Sequence, residues 1–401
     1  VEVLPVAQSP GRWNWGYDGV NLFAPRNTFG RPDDFKAFVN ACHEAGIAVI
    51  LDVVYNHLGT EGNYLSDFGP YFSRRHHTPW GGAFNFDGRS ARQVRDYVID
   101  NAIYWLREFH LDGLRLDAVH FMHDDSELSI LQEIQGAVDE YERDAQRTVH
   151  LIAEANVFDR ELLGIERNTS PYDAIWCDCL MHAVYSHGAP ELRLTHREYR
   201  GASDIAHALQ LGYIYHGPEY DREEVSQRDG RGNAYISSLV TALQTHDSVG
   251  NHPEGKRIHQ LTSTDFQRAA AALFLLYPSI PMIFMGEELA TDACFSFFAD
   301  FEDPRLRKAV DKGRRQEYPQ HAWNDALAPS NPDAFLLTKI SDAAVDHDMR
   351  NWYRSLLMLR QRGIQEGWLS PQNLTVDFRP QERLFSIRYR ESAETQIAVL
   401  C

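Results

Sequence analysis

The chain has 401 residues, 43% of them hydrophobic, and a formal net charge of −18. It can bury a large core, and its acidic balance argues against a nucleic-acid surface, which needs clustered Lys and Arg. No apolar run reaches the roughly 18–20 residues that span a bilayer, and five scattered cysteines (Cys42, Cys177, Cys179, Cys294, Cys401) suit reduced thiols in a cytoplasmic protein.

The first element, VEVLPV (1–6), reads as a strand that begins abruptly without a charged leader, as in a fragment whose beginning is missing. Further strand candidates follow at 48–56, 111–119, 149–155, 174–179, 238–246 and 279–288, as apolar runs bounded by turn signals. Helices lie between them. RPDDFKAFVNACHEAG has Pro32 in its first turn and Gly46 as its stop, and SARQVRDYVIDNAIYWLREFH opens with Ser90 and Gln93 at capping-box spacing. LSILQEIQGAVDEYERDA, DFQRAAAALFLL and MRNWYRSLLMLRQRG follow. Strands alternating with helices, and no glycine-rich phosphate loop after any of them, favour an α/β (β/α)8 TIM barrel lacking its first strand in this fragment. We expect residues 1–370 to form that barrel, with a long excursion at 58–89 and a second at 290–345. The alternating pattern of 371–401 predicts the start of a C-terminal antiparallel β domain.

Within HLDGLRLDAVHF, Arg115 and Asp117 interrupt an apolar run. Side chains alternate along a strand, so the two share a face while Leu114 and Leu116 take the other. A buried charge is costly unless paired or used, and the C-terminal ends of barrel strands are where chemistry is built. An arginine at this spacing keeps the aspartate ionised, as a carboxylate nucleophile requires. Other strand ends carry matching groups: Asp52, Asn56 and His57 in LDVVYNH, Glu154 in LIAEAN, His246 and Asp247 in LQTHDSVGNH. Three carboxylates with an arginine and two histidines suit glycoside chemistry, in which one acid attacks, a second protonates the leaving oxygen and a third grips hydroxyls. Any one of them alone is more often a cap, a solvated terminus or a structural ion pair.

The motifs DVVYNH (52–57), GLRLDAV (113–119), AEAN (153–156) and THD (245–247), in that order, resemble the four short regions of the α-amylase superfamily of glycoside hydrolases. The resemblance implies Asp117 as nucleophile, Glu154 as general acid/base and Asp247 as transition-state stabiliser. It puts Arg115, His57 and His246 in the same subsite and Tyr17 of WGYDG beneath the sugar ring. Asp52, Asn56, Trp15 and His120 are further candidate substrate contacts, and Trp13, Phe297, Phe298 and Asp124 lie where sugar contact and ordinary packing are both open. Within the superfamily the spelling is similar to the malto-oligosyltrehalose trehalohydrolases, which implies an α-glucan or maltooligosyltrehalose substrate. A glucan-branching transglycosylase on the same residues is the alternative. A non-catalytic relative would keep the barrel without the carboxylates. Thr245 and Ser248 depart from the subgroup, which normally has Asn and Gln there. No cofactor is expected. No metal is expected either: 58–89 offers only Glu61, Asp67 and Asp87 as acids, and H-x-H or H-E-x-x-H spacing is absent.

Overall fold

The computed structural model describes residues 1–159, 162, 172–190, 195, 197–216, 221–222, 234–340, 345–381, 384–390 and 396–400. Chain contacts divide it into two compact units, the first made of Val1–Ala155, Arg160–Ile175 and Ala299–Arg307, the second of the remainder.

In the first unit four strands run parallel: β1 (Glu2–Val3), β2 (Ile50–Val53), β3 (Gly113–Leu116) and β4 (His150–Glu154). Helices α1 (Pro32–Glu44), α2 (Ala91–Glu108) and α3 (Ile130–Ala145) separate them in the chain. Each strand is shorter than its apolar run because the flanking residues leave the ladder for the loops. Parallel strands covered on both faces need apolar residues throughout, and Leu51, Val53, Leu114, Leu116, Leu151 and Ala153 are all buried. Gly113 lets β3 approach β4: a Cβ there would stand 2.4 Å from the His150 carbonyl oxygen.

The capping box expected at Ser90 does not form. Ser90 takes a left-handed conformation (φ 64°) and its hydroxyl makes no cap bond. A reciprocal box closes the head of α3 instead, where Gln132 N donates to Ser129 Oγ (3.3 Å) and Ser129 N donates to Gln132 Oε1 (3.0 Å). The 58–89 excursion is not a structureless loop. It contains a hairpin of Phe72–Thr78 against Gly81–Phe84, whose turn is tied by Thr78 Oγ1 accepting from the Trp80 and Gly81 amides.

A short strand, β5 (Ala174–Trp176), falls at the sequence boundary between the units. In the second unit β6 (Leu239–Ala242) and β7 (Ile280–Met282) are parallel neighbours. With them go helices α4 (Cys179–Gly188), α5 (Ala202–Leu211), α6 (His246–Gly250), α7 (Thr264–Leu275) and α8 (His347–Gln365). The 290–345 excursion carries helices Pro304–Glu317 and Pro332–Leu336. After α8 come β8 (Leu374–Arg379), β9 (Leu384–Arg390) and β10 (Gln396–Leu400), antiparallel throughout as the alternation predicts. Among the described residues no helix is long and apolar enough to cross a membrane. Cys177 and Cys179 are buried free thiols, and Cys401 lies outside the described residues.

Candidate active site

Register decides what meets at the strand ends. Arg115 on β3 is the direct neighbour of Asp52 on β2, and Glu154 closes β4 two residues beyond Arg115's partner Ile152. The Arg115 side chain is 1% exposed. Its Nη1 donates to both Asp52 oxygens (2.8 and 2.7 Å) and to Asp117 Oδ1 (2.9 Å), while Nη2 reaches Glu154 Oε2 at 2.9 Å. One planar fork therefore orients three carboxylates from three consecutive strands, which a point-charge lysine could not do.

The nucleophile candidate is fixed from several sides. The Asp117 amide donates to Val53 O (3.0 Å), and Asn56 Nδ2 donates to both the Asp117 carbonyl and its Oδ2 (2.8 Å each). Ala118 is then forced into the left-handed region (φ 42°), which points its amide at Glu154 Oε2 (2.8 Å). A non-glycine residue held there is strained, and such strain concentrates at functional sites.

Tyr17 follows Gly16, whose φ of 113° and 2.0 Å Cβ approach to the Pro5 carbonyl oxygen leave no room for another residue. The Tyr17 hydroxyl donates to Asp52 Oδ2 (2.6 Å). Burial and the carboxylates of Asp117 and Glu2 push Asp52 well above the usual range, against Arg115 and Tyr17. Burial likewise pushes Glu2, a neighbour that the sequence does not single out, up to about 7. His57 bonds the Asn56 side-chain oxygen and stacks on Trp80 (centroids 5.3 Å apart, 30°). Burial lowers its imidazole to about 4, so it is neutral at pH 7. Trp80 itself is 50% exposed at the hairpin turn. Nothing local in TPWGG marks it; only the pairing of Phe72–Thr78 with Gly81–Phe84 brings it over His57.

Trp15 is buried, and Trp13, also buried, lies under the Arg12 guanidinium (4.2 Å). His120 packs on Phe121 (4.4 Å). Asp124 accepts from Arg95 Nη1 and from the Ile130 amide (2.6 Å each), so its carboxylate anchors the loop that leads into α3. His76, Asp87 and Asp125 bring ligand-type atoms within 4.8 Å of one another. The 58–89 segment alone does not contain this group, because Asp125 comes from outside it. Arg75 occupies it as an ion pair, at 2.7 Å from Asp87 and 3.5 Å from Asp125.

In the second unit His246 and Asp247 open α6. His246 is buried, edge-on to Trp176 (6.3 Å, 83°), with Nε2 3.5 Å from Asp247 Oδ2. The two unusual residues of this motif serve the fold. Thr245 N donates to Ser248 Oγ (2.8 Å) and Ser248 N to Thr245 Oγ1 (3.1 Å), a reciprocal cap for α6. Phe298 is buried against Phe295 and Phe335, and Phe297 lies under the Arg314 guanidinium at 4.7 Å.

The sequence profile of the family "Alpha amylase, catalytic domain" matches residues 2–77. The malto-oligosyltrehalose trehalohydrolase of Saccharolobus solfataricus is 38% identical over 362 residues, 90% of this chain and 62% of that protein. That of Arthrobacter ramosus is 40% identical over 405 residues, 95% of this chain and 70% of that protein. A solved structure assigned to an alpha amylase of Salmonella typhimurium superposes with a TM-score of 0.82 at 34% identity, covering 97% of this chain and 67% of that one. The two relatives and the solved structure each cover 90% or more of this chain. The chain belongs to the α-amylase family of glycoside hydrolases, in its malto-oligosyltrehalose trehalohydrolase group.

Proposed function

We propose that this chain carries the catalytic machinery of a retaining hydrolase that releases trehalose from maltooligosyltrehalose by cutting an α-1,4-glucosidic bond. One observation supports the reading above others: Asp117 and Glu154 sit on the two nitrogens of a single buried guanidinium at adjacent strand ends. That is compatible with the separation of roughly 5–5.5 Å at which one carboxyl attacks while the other protonates.

Asp117 attacks the anomeric carbon and Glu154 delivers its proton to the departing oxygen. Glu154 then takes a proton from water, and the hydroxide displaces Asp117 to free the sugar. The Ala118 amide and Arg115 hold Glu154 at one oxygen, which leaves the other to handle the proton. Asp247 is assigned from its motif to match the positive charge of the oxocarbenium-like state, and Arg115 holds Asp117 and Glu154 in place. Tyr17, His57 and His246, with Asp52, Asn56, Trp15 and His120, make up the assigned substrate contacts and their supports. Residues 1–370 act as the catalytic domain and 371–401 as a β appendage. Incubating the protein with maltooligosyltrehalose and identifying the sugar released tests the proposal. Free trehalose is expected; new α-1,6 branches on amylose without trehalose would overturn it in favour of glucan branching.

A further inference from the structure

The WNWGYDG stretch brings Tyr17 to the Asp52 carboxylate, yet residues 9–20 form no helix and no strand, only an isolated bridge from Asn14 to Ala299. A buried segment without a ladder of its own needs its backbone groups satisfied from elsewhere. Two distant residues do this at its start. Arg26 Nη2 donates to the Pro10 and Gly11 carbonyls (2.9 and 3.0 Å). Asp300, 4% exposed, takes the next two residues: its Oδ2 accepts from the Arg12 amide (3.0 Å) and Arg12 Nε (3.1 Å), and its own amide donates to the Trp13 carbonyl (2.9 Å).

Asp300 belongs to the 290–345 excursion, for which the reaction supplies no use, but its segment, Ala299–Arg307, packs within the first unit. The segment lies against the loop like a strap. Gly11 (φ 72°) gives it room, since a Cβ there would stand 1.7 Å from the Asp300 carbonyl oxygen. Its other end is held by Glu61, whose two carboxylate oxygens accept from the Glu302 and Asp303 amides (2.8 and 2.7 Å). Residues 12–14 are thus fixed at a donor, an acceptor and a bridge.

Asn14, 5% exposed, carries that constraint to the site. Its Oδ1 accepts from the Gly16 amide (2.7 Å) and its Nδ2 donates to Asp18 Oδ2 (2.6 Å), so one side chain grips the chain on both sides of Tyr17. The orientation of the amide is forced, because a backbone N–H can only donate and must therefore face the oxygen. Tyr17 Oη then meets Asp52 Oδ2 at 2.6 Å.

We propose that Asn14 and Asp300 are positioning residues for Tyr17. Asp300, from the far end of the chain, holds residues 12–14, and Asn14 transmits that hold to the tyrosine. A ring beneath the reacting sugar serves only where it is held, and a displacement of about 1 Å near the reacting atoms can cost on the order of 10²-fold. The inference deepens the proposed function and rests on the placement of Tyr17 beneath the sugar.

A double-mutant cycle tests it. Asn14→Ala and Asp300→Ala should each lower kcat on maltooligosyltrehalose by more than about tenfold, with KM changed by less than about threefold. In a Tyr17→Ala background either change should cost less than about twofold more, because the group they position is gone. Near-wild-type kcat in the single variants overturns the inference, and so do losses that persist undiminished without Tyr17, since those come from a general weakening of the fold. Hydrogen exchange of the wild-type chain, read residue by residue and corrected for intrinsic rates, needs neither turnover nor a variant that folds. Gly16 donates to Asn14 and Asp300 to Trp13, so a loop that opens only with its strap lets Gly16 exchange no more than about threefold faster than Asp300. Faster exchange at Gly16 overturns the inference. Matched exchange together with a Tyr17→Ala variant of near-wild-type kcat leaves the hold on Tyr17 standing and sinks the role proposed for its ring.

Discussion

Replacing Arg115 by methionine removes the cation shared by three carboxylates while keeping the length of the side chain. In the native protein that guanidinium makes four contacts of 2.7–2.9 Å to Asp52, Asp117 and Glu154, with its side chain 1% exposed. Water cannot replace it at such depth, and breaking one side of a buried pair costs about 3–5 kcal/mol. For a compact unit of 150–250 residues, each kcal/mol shifts the melting temperature by about 2–4 °C, so Arg115→Met should melt roughly 6–20 °C lower at pH 8. Only protons can neutralise the abandoned carboxylates. A carboxyl whose folded pKa is raised above its unfolded value contributes stability at low pH and loses it as pH rises, so the gap from wild type should narrow toward pH 5 and widen toward pH 8. Differential scanning calorimetry at the two pH values measures both effects. A variant melting within about 2 °C of wild type at pH 8 would refute the argument, because it would mean that the three acids do not depend on this cation.

Two further outcomes follow from the same geometry. Asp117→Asn keeps the shape and the Asn56 contact at the acid's oxygen but removes the nucleophile; turnover should fall by at least about 10⁴-fold with the melting temperature within a few degrees of wild type, and near-normal turnover would remove the assignment. His57, lowered to about 4 by burial, binds fewer protons in the folded than in the unfolded chain between about 4 and 6.5. Stability from this group is therefore lost as pH falls through that window, and His57→Gln should flatten the acid side of a melting-temperature profile; an unchanged slope would show that the imidazole does not resist protonation.

The charged pair at the end of β3 was legible in the sequence because alternation is a local rule: two charges two residues apart in an apolar run share a face, and Arg115 Nη1 does meet Asp117 Oδ1 (2.9 Å). Asp52, alternating with Leu51 and Val53 inside an apolar run, and Glu154, closing one, were legible for the same reason. What depended on distant segments was not. Trp80 reaches His57 only because the 72–84 hairpin folds back, Glu2 matters only through strand register, and Asp125 meets Asp87 from beyond the next helix. Ser90 had the spacing of a capping box, but spacing does not dictate φ, and its left-handed conformation turns the hydroxyl away from the role. Thr245 and Ser248 illustrate the reverse case. In the sequence they show only as departures from a family spelling, and in the folded chain each caps the other.

The central claim is double displacement, with Asp117 as the attacking group and Glu154 as the proton carrier. It is tested most directly by proton NMR of the maltooligosaccharide released from maltooligosyltrehalose during the first moments of reaction, before mutarotation. Retention requires the new reducing end to appear as the α-anomer and to relax later toward the equilibrium mixture. First appearance of the β-anomer would mean that water attacks directly, and Asp117 could not then be the nucleophile.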